Sequence, residues 1–336
     1  MNQTIDSRIH IALSPGDLTD DYNRHAGTTL LSILKNSSSP ITAHILYNKN
    51  LSLGKERQEE YTIQCYQNIT DKYNCELEFH HVDFPEWINN HPITRHFPES
   101  ALMRLVLPNI LQDISRIVYF DCDLIVLTDV SKLWSIPLNK YYIAASTDRD
   151  IIKIYTKYKE AYDSAEINID NYFNSGVLVL NIERIREDSI NLVENALNFL
   201  FSHPHLPYPD QDFLNAFFGK SYYQLDEKYN KFSTRINYSD TELNDIIIHY
   251  AGPTLKPWKR YNGKIDEIYW HYLSLTPWAE NGKITEYLSP ILKNSDDIIQ
   301  ELPDTIWEFP FYNKIKTLWK LTIPLWIKLI IRYMKS

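Results

Sequence analysis

The sequence contains little of what marks several common protein classes. Only 3 of its 336 residues are cysteine, without metal or redox spacing, which argues against a disulfide framework and favours a reducing compartment. The formal net charge of −9 argues against nucleic-acid binding, because phosphate contacts need clustered Lys and Arg. Residues 1–6 have neither a basic n-region nor an apolar h-region, so we predict no secretory signal and a cytoplasmic chain.

Other absences narrow the chemistry. The motifs of dinucleotide-binding folds, P-loop proteins and Ser-His-Asp hydrolases are missing. What is present is a chain of 44% hydrophobic and 23% charged residues, which is enough apolar material for a core. Its length predicts about two domains, or one large α/β domain with an appendage. Because the pattern becomes helical and Trp-rich near Asp266, we predict one large domain over residues 1–262 and a helical C-terminal subdomain over residues 263–336.

Short apolar stretches alternate with amphipathic ones along the first 250 residues. The predicted strands cover residues 9–13, 41–47, 77–82, 116–120, 142–147, 177–181 and 246–249, and the predicted helices cover 20–35, 55–73, 101–107 and 211–218. Parallel strands need helical crossovers, so this order predicts an α/β fold with a mainly parallel sheet. Notable polar residues follow the strand ends, which predicts one sheet with a ligand site along its carboxyl edge.

The aspartate pair Asp121 and Asp123 follows a buried strand directly. An extended pair at i and i+2 points two carboxylates the same way, close enough to share a divalent cation. Burying both next to the apolar run 124–127 is costly unless a cation compensates them. His249, which ends the apolar run 246–248, is a third ligand candidate, and two oxygens with one imidazole suit Mn²⁺ or Mg²⁺. The alternatives are a solvated turn for the aspartates and a structural role for His249.

Four stretches in a fixed order resemble glycosyltransferase family 8, particularly bacterial lipopolysaccharide galactosyl- and glucosyltransferases. They are Arg116-Ile117-Val118-Tyr119-Phe120-Asp121-Cys122-Asp123, Asn171-Tyr172-Phe173-Asn174-Ser175-Gly176-Val177, Pro209-Asp210-Gln211-Asp212-Phe213-Leu214-Asn215 and His249-Tyr250-Ala251-Gly252-Pro253-Thr254-Leu255-Lys256-Pro257-Trp258. The similarity spans roughly residues 8 to 260. It implies a GT-A type, Rossmann-like fold and transfer of a sugar from a UDP-sugar with retention of anomeric configuration.

The resemblance also implies roles for individual residues. Asp121, Asp123 and His249 would hold Mn²⁺ (or Mg²⁺) against the diphosphate. The other implied positions are Gly252 and Lys256 at the diphosphate, Arg104 near the donor sugar and phosphates, Asp148 and Asn174 at the sugar hydroxyls, Asp210 and Gln211 beside the reacting carbon, and Ala12 near the uracil. Because Gln211 is a poor nucleophile and no clear carboxylate nucleophile is present, we interpret Gln211 as an electrostatic stabiliser.

The sequence departs from the family pattern in two places. The loop 14–22 is longer than the usual acidic-acidic-x-aromatic stretch, so Asp17, Asp20 and Tyr22 all remain candidates for the nucleobase contact. Leu102 stands where a Tyr is common. Each site residue also has a structural alternative: a turn for Asn174, a helix N-cap for Asp210, an ion pair for Arg104 and a plain surface position for Lys256.

The last segment, residues 314–336, combines basic side chains with Trp and Tyr and has no acidic residue. Its apolar run is too short to span a bilayer, so we predict a helix on the inner face of the cytoplasmic membrane, near a lipid-linked saccharide acceptor. The alternative is packing against the protein itself. As a function we expect hexose transfer to a glycan or glycolipid in lipopolysaccharide or other surface-glycan synthesis. The alternatives are a glycogenin-like acceptor, a metal-dependent phosphohydrolase and an idle sugar-nucleotide-binding protein.

Overall fold

The structure is a computed structural model that describes residues 8–19, 21–48, 55–83, 99–238, 243–252 and 254–279. The chain divides into two compact units, Met1–Ala251 and Gly252–Ser336. The predicted membrane segment 314–336 lies outside the described residues, and the predicted domain boundary at 262 stays a prediction. Among the helices that are described, none is long and apolar enough to cross a membrane.

A mixed sheet forms the centre of the first unit. Within the described residues it has seven strands in the order β3-β2-β1-β4-β7-β6-β8. These strands are β1 (Ile9–Gly16), β2 (Ile41–Tyr47), β3 (Cys75–His81), β4 (Arg116–Phe120), β6 (Ile143–Thr147), β7 (Phe173–Asn181) and β8 (Tyr223–Leu225). The pairs β3-β2, β2-β1, β1-β4 and β6-β8 are parallel, whereas β7 runs antiparallel to β4 and β6. The predicted mainly parallel α/β sheet is therefore confirmed.

A second, smaller sheet makes the prediction of a single sheet wrong. Its strands are β5 (Leu124–Leu127), β10 (Ile246–His249) and β9 (Lys231–Phe232), in the order β5-β10-β9. The chain leaves the main sheet after β4, and the apolar run that follows Asp123 then pairs antiparallel with β10. Each run is apolar enough to be a strand, but the sequence does not say which strand it pairs with.

The described helices of the first unit flank the sheet and connect its strands, and one further α-helix is described in the second unit. They are α1 (Asn23–Asn36), α2 (Glu56–Thr70), α3 (Leu107–Ile110), α4 (Ser131–Trp134), α5 (Ile151–Ser164), α6 (Ile182–Glu187), α7 (Leu192–Ser202), α8 (Pro209–Phe218) and, in the second unit, α9 (Ile265–Ser274). The helix predicted over 101–107 is a 3₁₀ segment, Glu99–Val106, that leads into α3. Helices α4, α5, α6 and α7 were not predicted from the sequence.

Buried side chains on the main sheet form part of the core of the first unit. Ile11, Ile45 and Val118 are fully buried, as are Ala12 and Tyr119 at neighbouring positions of β1 and β4. Each fully buried aliphatic side chain contributes about 1.5–3 kcal/mol to folding. Because β4 and β6 are parallel and β7 is antiparallel to both, the carboxyl ends of β4 and β6 and the amino end of β7 meet at one edge.

Candidate active site

The turn that carries the aspartate pair joins the two sheets. Asp121 directly follows β4, and its backbone N–H donates to the carbonyl of Gly176 in β7 (2.8 Å). From the other side, the Thr29 hydroxyl of α1 donates to the carbonyl of Cys122 (3.1 Å). The turn is therefore held by β7 and by α1, which fixes the backbone from which Asp121 and Asp123 project.

Asp121, Asp123 and His249 come together at this turn. His249 Nε2 lies 3.3 Å from Asp123 Oδ1 and 4.0 Å from Asp121 Oδ2. Each residue offers one ligand atom, and the three atoms lie within 4.8 Å of one another. Asp123 and His249 are buried, whereas the Asp121 side chain is 24% exposed. The cluster is thus closed on the protein side and open next to Asp121.

The backbone at Gly176 lies so close to this cluster that only glycine fits. A Cβ atom there would lie 2.5 Å from His249 Cε1, 2.9 Å from Asn174 Oδ1 and 3.0 Å from Asp121 Oδ2. Distances this short require a neighbour to move. Residues 174–176 belong to β7, so the alternative that they form a turn before the strand is wrong.

A chain of amide side chains orients His249. Its Nδ1 lies 2.8 Å from Asn230 Oδ1, and Asn230 Nδ2 donates to Asn174 Oδ1 (2.8 Å). With Nδ1–H donating to Asn230, the lone pair of Nε2 points towards Asp123. A partner on the second ring nitrogen is typical of metal-ligating histidines.

The same network continues from Asn174 to Asp148. Asn174 Nδ2 donates to Gln211 Oε1 (2.9 Å), which also accepts from the backbone N–H of Ser175 (3.0 Å). On its other side, Gln211 Nε2 donates to Asp148 Oδ2 (3.4 Å). Hydrogen bonds therefore connect the sequence-predicted residues Asn174, Gln211 and Asp148 to the His249 cluster.

Arg104 connects the aspartate pair to α8. Its guanidinium donates to Asp121 Oδ1 (2.9 Å) and to the carbonyl of Ser175 (2.6 Å), and its Nε lies 3.4 Å from Asp210 Oδ2. The guanidinium carbon lies 4.4 Å from the centroid of the Tyr119 ring. Arg104 therefore forms ion pairs, as its structural alternative predicted. Both partners, Asp121 and Asp210, are themselves residues of the predicted site.

Burial and crowding of charge shape the electrostatics of the site. Burial raises the pKa of Asp121; Arg104 opposes this shift, and the nearby Asp123 carboxylate adds to it. Burial alone would lower the pKa of Arg104, but the charges of Asp121 and Asp210 outweigh it and raise that pKa. Burial also raises the pKa of Asp148. Two carboxylates, Asp121 and Asp210, thus pair with one guanidinium, and Asp123 lies beside Asp121, which leaves an excess of negative charge for a cation.

Helix α8 is held against β7 by Asn215. Its Oδ1 accepts from the backbone N–H of Phe173, and its Nδ2 donates to the carbonyl of the same residue, both at 2.8 Å. The N-cap of α8 is Tyr208, and Asp210 is the second residue of the helix, so the alternative that Asp210 is its N-cap is wrong. Instead, Asp210 Oδ2 accepts from the Ser175 hydroxyl (3.0 Å).

The residues predicted for the nucleobase lie along β1 and after it. Ala12 is fully buried within β1. Asp17 follows β1, and its Oδ1 accepts from the backbone N–H of Thr19 (2.7 Å). Tyr22 precedes α1, and Asp20 lies outside the described residues. Their nucleobase contacts stay predictions.

Gly252 and Lys256 belong to the second compact unit. Gly252 has a φ of +93°, in the left-handed region that glycine adopts readily. Lys256 Nζ lies 5.8 Å from the centroid of the Trp258 ring in the same unit. The predicted contacts of Gly252 and Lys256 with a diphosphate stay predictions.

Three residues of the network carry no role in the sequence-based prediction: Asn230, Ser175 and Gly176. Ser175 and Gly176 lie in a motif quoted for the resemblance, and the steric need for glycine appears only when β7 passes His249. Asn230 is one of several polar residues before β9, and no pattern distinguishes it from them. Its role follows from tertiary contacts alone.

The donor set fits a hard divalent cation. Two carboxylate oxygens and one imidazole nitrogen converge within 4.8 Å, as predicted for Asp121, Asp123 and His249. The excess of carboxylates over Arg104 supplies the charge that such an ion would neutralise.

Comparisons with known proteins identify relatives of the chain. A family model described as "Glycosyl transferase family 8" matches residues 16–262. General stress protein A of Bacillus subtilis (strain 168) is 30% identical over 286 residues, 78% of this chain and 93% of that protein. The lipopolysaccharide 1,2-glucosyltransferase of Escherichia coli (strain K12) is 27% identical over 239 residues, 67% of this chain and 64% of that protein.

A solved structure supports the fold. The crystal structure of the galactosyltransferase LgtC in complex with donor and acceptor sugar analogues gives a TM-score of 0.67 at 20% identity. The similarity covers 83% of this chain and 100% of that chain. Together with the mixed α/β sheet, this likeness confirms the predicted GT-A type fold.

Proposed function

Since the chain belongs to glycosyl transferase family 8, as its four motifs predicted, we propose that it transfers a hexose from a UDP-sugar to a glycan or glycolipid acceptor with retention of configuration. One observation carries the proposal: the cluster of Asp121, Asp123 and His249 is joined by hydrogen bonds to Asn174, and onward to a glutamine and a further aspartate. Galactose and glucose are the proposed donors, in keeping with the named specificities of two relatives.

We assign Asp121, Asp123 and His249 as ligands of a divalent cation, Mn²⁺ or Mg²⁺. When bound, such a cation neutralises charge on the diphosphate leaving group. Neighbouring residues hold the ligands in place. Asn230 orients His249 by a hydrogen bond, and Arg104 pairs with the carboxylate of Asp121. Lys256 and Gly252 are the proposed further contacts of the diphosphate.

The sugar of the donor is proposed to lie against Asp148, Asn174 and Asp210. Their polar atoms face one edge of the sheet, and hydroxyl groups of a hexose need acceptors and donors of this kind. Asp148 is buried, and burial raises its pKa, so a hydroxyl that donates to its carboxylate compensates for lost solvent. The uridine would then lie towards the end of β1, near Asp17 and Tyr22.

The surroundings of Gln211 and Asp210 support same-face attack without a covalent intermediate. Gln211 Oε1 already accepts hydrogen bonds from Asn174 and Ser175, and the Asp210 carboxylate is engaged by Ser175 and Arg104. A carboxylate neutralised in this way is a weak nucleophile. The acceptor oxygen therefore bonds to the anomeric carbon as the bond to the diphosphate breaks, and the acceptor proton passes to the departing diphosphate.

Two contributions follow for the residues next to the reacting carbon. Gln211 stabilises positive charge on the sugar ring through the dipole of its fixed amide. Asp210 holds Arg104 and Ser175 in place. A covalent glycosyl adduct on Asp210, trapped with a slow donor and found by mass spectrometry, would contradict this mechanism.

We also propose that residues 314–336 bring the enzyme to the inner face of the cytoplasmic membrane, where a lipid-linked saccharide is the acceptor. Basic and aromatic side chains without an acidic residue support this. A chain that ends near residue 310 should keep turnover on a water-soluble acceptor and lose binding to anionic vesicles. Unchanged vesicle binding would contradict the proposal.

The function is tested with a panel of nucleotide sugars in the presence of Mn²⁺. Consumption of UDP-galactose or UDP-glucose should depend on an added glycan acceptor and yield a glycosylated product of retained configuration. Rapid acceptor-independent release of phosphate or nucleotide would indicate a phosphohydrolase. Nucleotide binding without turnover on any donor would indicate an idle binding protein.

A further inference from the structure

A histidine-rich cluster lies on neighbouring strands of the main sheet, in addition to the active site. His44 in β2 pairs in register with Glu78 in β3, and His80 follows Glu78 by two residues. Residues paired across parallel strands, and residues two apart on one strand, share a face of the sheet. His10 in β1 lies on the same face, because it pairs with Thr42, two residues before His44.

The three donor atoms of His44, Glu78 and His80 form a compact triangle. His44 Nδ1 lies 2.9 Å from His80 Nε2 and 3.3 Å from Glu78 Oε2, and His80 Nε2 lies 3.4 Å from Glu78 Oε2. A tetrahedral zinc ion with ligands at about 2.0–2.1 Å separates its donor atoms by about 3.3 Å. The three side chains therefore already match one face of a tetrahedron.

His10 gives His44 the orientation that a metal ligand needs. His44 Nε2 lies 3.0 Å from His10 Nδ1. In the tautomer in which Nε2–H donates to His10, the Nδ1 lone pair of His44 faces His80 and Glu78. Burial, and then the charges of His80 and His10, lowers the pKa of His44 to about 3, so its ring is neutral at pH 7. A neutral imidazole with its second nitrogen engaged is a typical zinc ligand.

The cluster is buried on the side of His44 and open to solvent on the side of Glu78. The His44 side chain is 0% exposed, whereas those of His80 and Glu78 are 20% and 50% exposed. A buried imidazole at a core-facing position is costly unless its nitrogens are engaged. The exposed side leaves room for a water molecule as a fourth ligand.

We propose that His44 Nδ1, His80 Nε2 and Glu78 Oε2 bind a zinc ion, with His10 as the positioning residue. Two imidazoles and one carboxylate form a donor set that zinc accepts. The ion joins β2 to the edge strand β3, and its contribution is to the stability of the sheet rather than to transfer.

The test measures zinc affinity by competition with a chromophoric chelator, using the full chain in an Asp123→Ala background. This background weakens zinc binding at the active-site cluster. Glu78→Gln and His80→Gln remove ligands. Glu76→Gln and His81→Gln are matched controls, because Glu76 pairs with Arg8 and His81 with a different acid.

The parent and both controls should bind one zinc per chain, and each ligand variant should bind it at least about tenfold more weakly. Equal affinity in ligand and control variants, or a parent that binds no zinc, would overturn the proposal. If His80→Gln fails to fold, Glu78→Gln decides alone, because its half-exposed side chain tolerates the exchange. Neither variant touches the proposed transfer site, so loss of zinc binding is distinguishable from failure of the proposed function.

Discussion

Among the described residues, two groups of three side chains bring potential metal ligands together, and they differ in almost every property that decides which ion binds. The active-site cluster of Asp121, Asp123 and His249 has two oxygens and one nitrogen. The distances from its nitrogen to the two oxygens are 3.3 and 4.0 Å. The β2–β3 cluster of His44, Glu78 and His80 has two nitrogens and one oxygen, at 2.9–3.4 Å.

The two clusters differ in their ligand geometry because they lie at different places in the fold. The active-site ligands follow one strand and end another, in two different sheets, so loops and other ligands can approach them. The β2–β3 ligands lie within paired strands, where the register fixes the distances. Oxygen-rich sites favour Mg²⁺ and Mn²⁺, and imidazole-rich sites favour zinc. Strand ends thus bring ligands from two sheets together, and mid-strand positions hold ligands at distances that the strand register sets.

The largest expected effect comes from a single methyl group added beside the active-site cluster, which should leave the β2–β3 cluster unchanged. Gly176→Ala places a Cβ 2.5 Å from His249 Cε1, so His249 must move. Because small misplacements in active sites cost about a hundredfold in rate, we expect transfer to fall by at least about that factor. Zinc affinity of the β2–β3 cluster, measured on the same preparation, should not change. Full transfer activity in this variant would show that His249 is not needed where it lies.

The second prediction concerns the support of the active-site histidine. Asn230→Ala removes the acceptor for His249 Nδ1. Loss of such a partner costs about 10–100-fold in metal affinity, so Mn²⁺ should bind more weakly by that factor in a titration followed by electron paramagnetic resonance. Asn109→Ala, at an exposed position in α3, is the control. Unchanged Mn²⁺ affinity in Asn230→Ala would show that Asn230 does not support metal binding.

The third prediction measures what the β2–β3 cluster does for stability. Zinc at about a hundredfold excess over its Kd should add about 2.7 kcal/mol to the free energy of unfolding. For a unit of this size that is a rise in Tm of about 5–10 °C. Differential scanning fluorimetry should show the rise in the Asp123→Ala parent and not in its Glu78→Gln derivative. An equal rise in both would place the stabilising ion elsewhere.

The smallest expected effect is on the pH dependence of stability. It comes from Asp212, a buried carboxylate that belongs to neither cluster. Asp212 accepts hydrogen bonds from the Tyr172 hydroxyl (2.5 Å) and the Tyr208 backbone N–H (2.7 Å), yet burial raises its pKa to about 7. The folded state therefore holds a proton between pH 3.8 and about 7 that the unfolded state has lost. Stability from this group is full below pH 3.8 and is lost as the pH rises to about 7.

Asp212→Asn should remove that dependence. The free energy of unfolding of the wild type, from urea denaturation, should decline relative to the variant between pH 5 and 7 and then level off. Asp113→Asn, at an exposed position, should follow the wild type. Parallel curves for the wild type and Asp212→Asn would contradict the raised pKa.

Local patterns in the sequence are enough to single out the three candidate metal ligands of the active-site cluster. Asp121 and Asp123 end an apolar strand, and His249 ends another, so each is visible within a few residues. The antiparallel course of β7 was not visible, although it is the reason that Asn174 reaches the same edge. Asn230 has no local pattern and acts only through its contacts.

The β2–β3 cluster was not predicted from the sequence either, because its residues come together only through tertiary contacts. His10 and His44 are 34 residues apart, and His44 and His80 are 36 apart, so only the register of three strands joins them. Each lies in a strand whose existence the apolar pattern predicts, but the pairing of strands is a tertiary property. The second sheet was missed for the same reason, because residues 128–245 lie between β5 and β10 in the chain.

We propose above all that the carboxylate of Asp123 holds the cation needed for sugar transfer. The most direct measurement compares Mn²⁺-dependent consumption of the UDP-sugar, with acceptor present, in the wild type, Asp123→Ala and the exposed control Asp113→Ala. We expect wild-type rates for Asp113→Ala and a loss of at least about a hundredfold for Asp123→Ala at every Mn²⁺ concentration. Full activity in Asp123→Ala would contradict it.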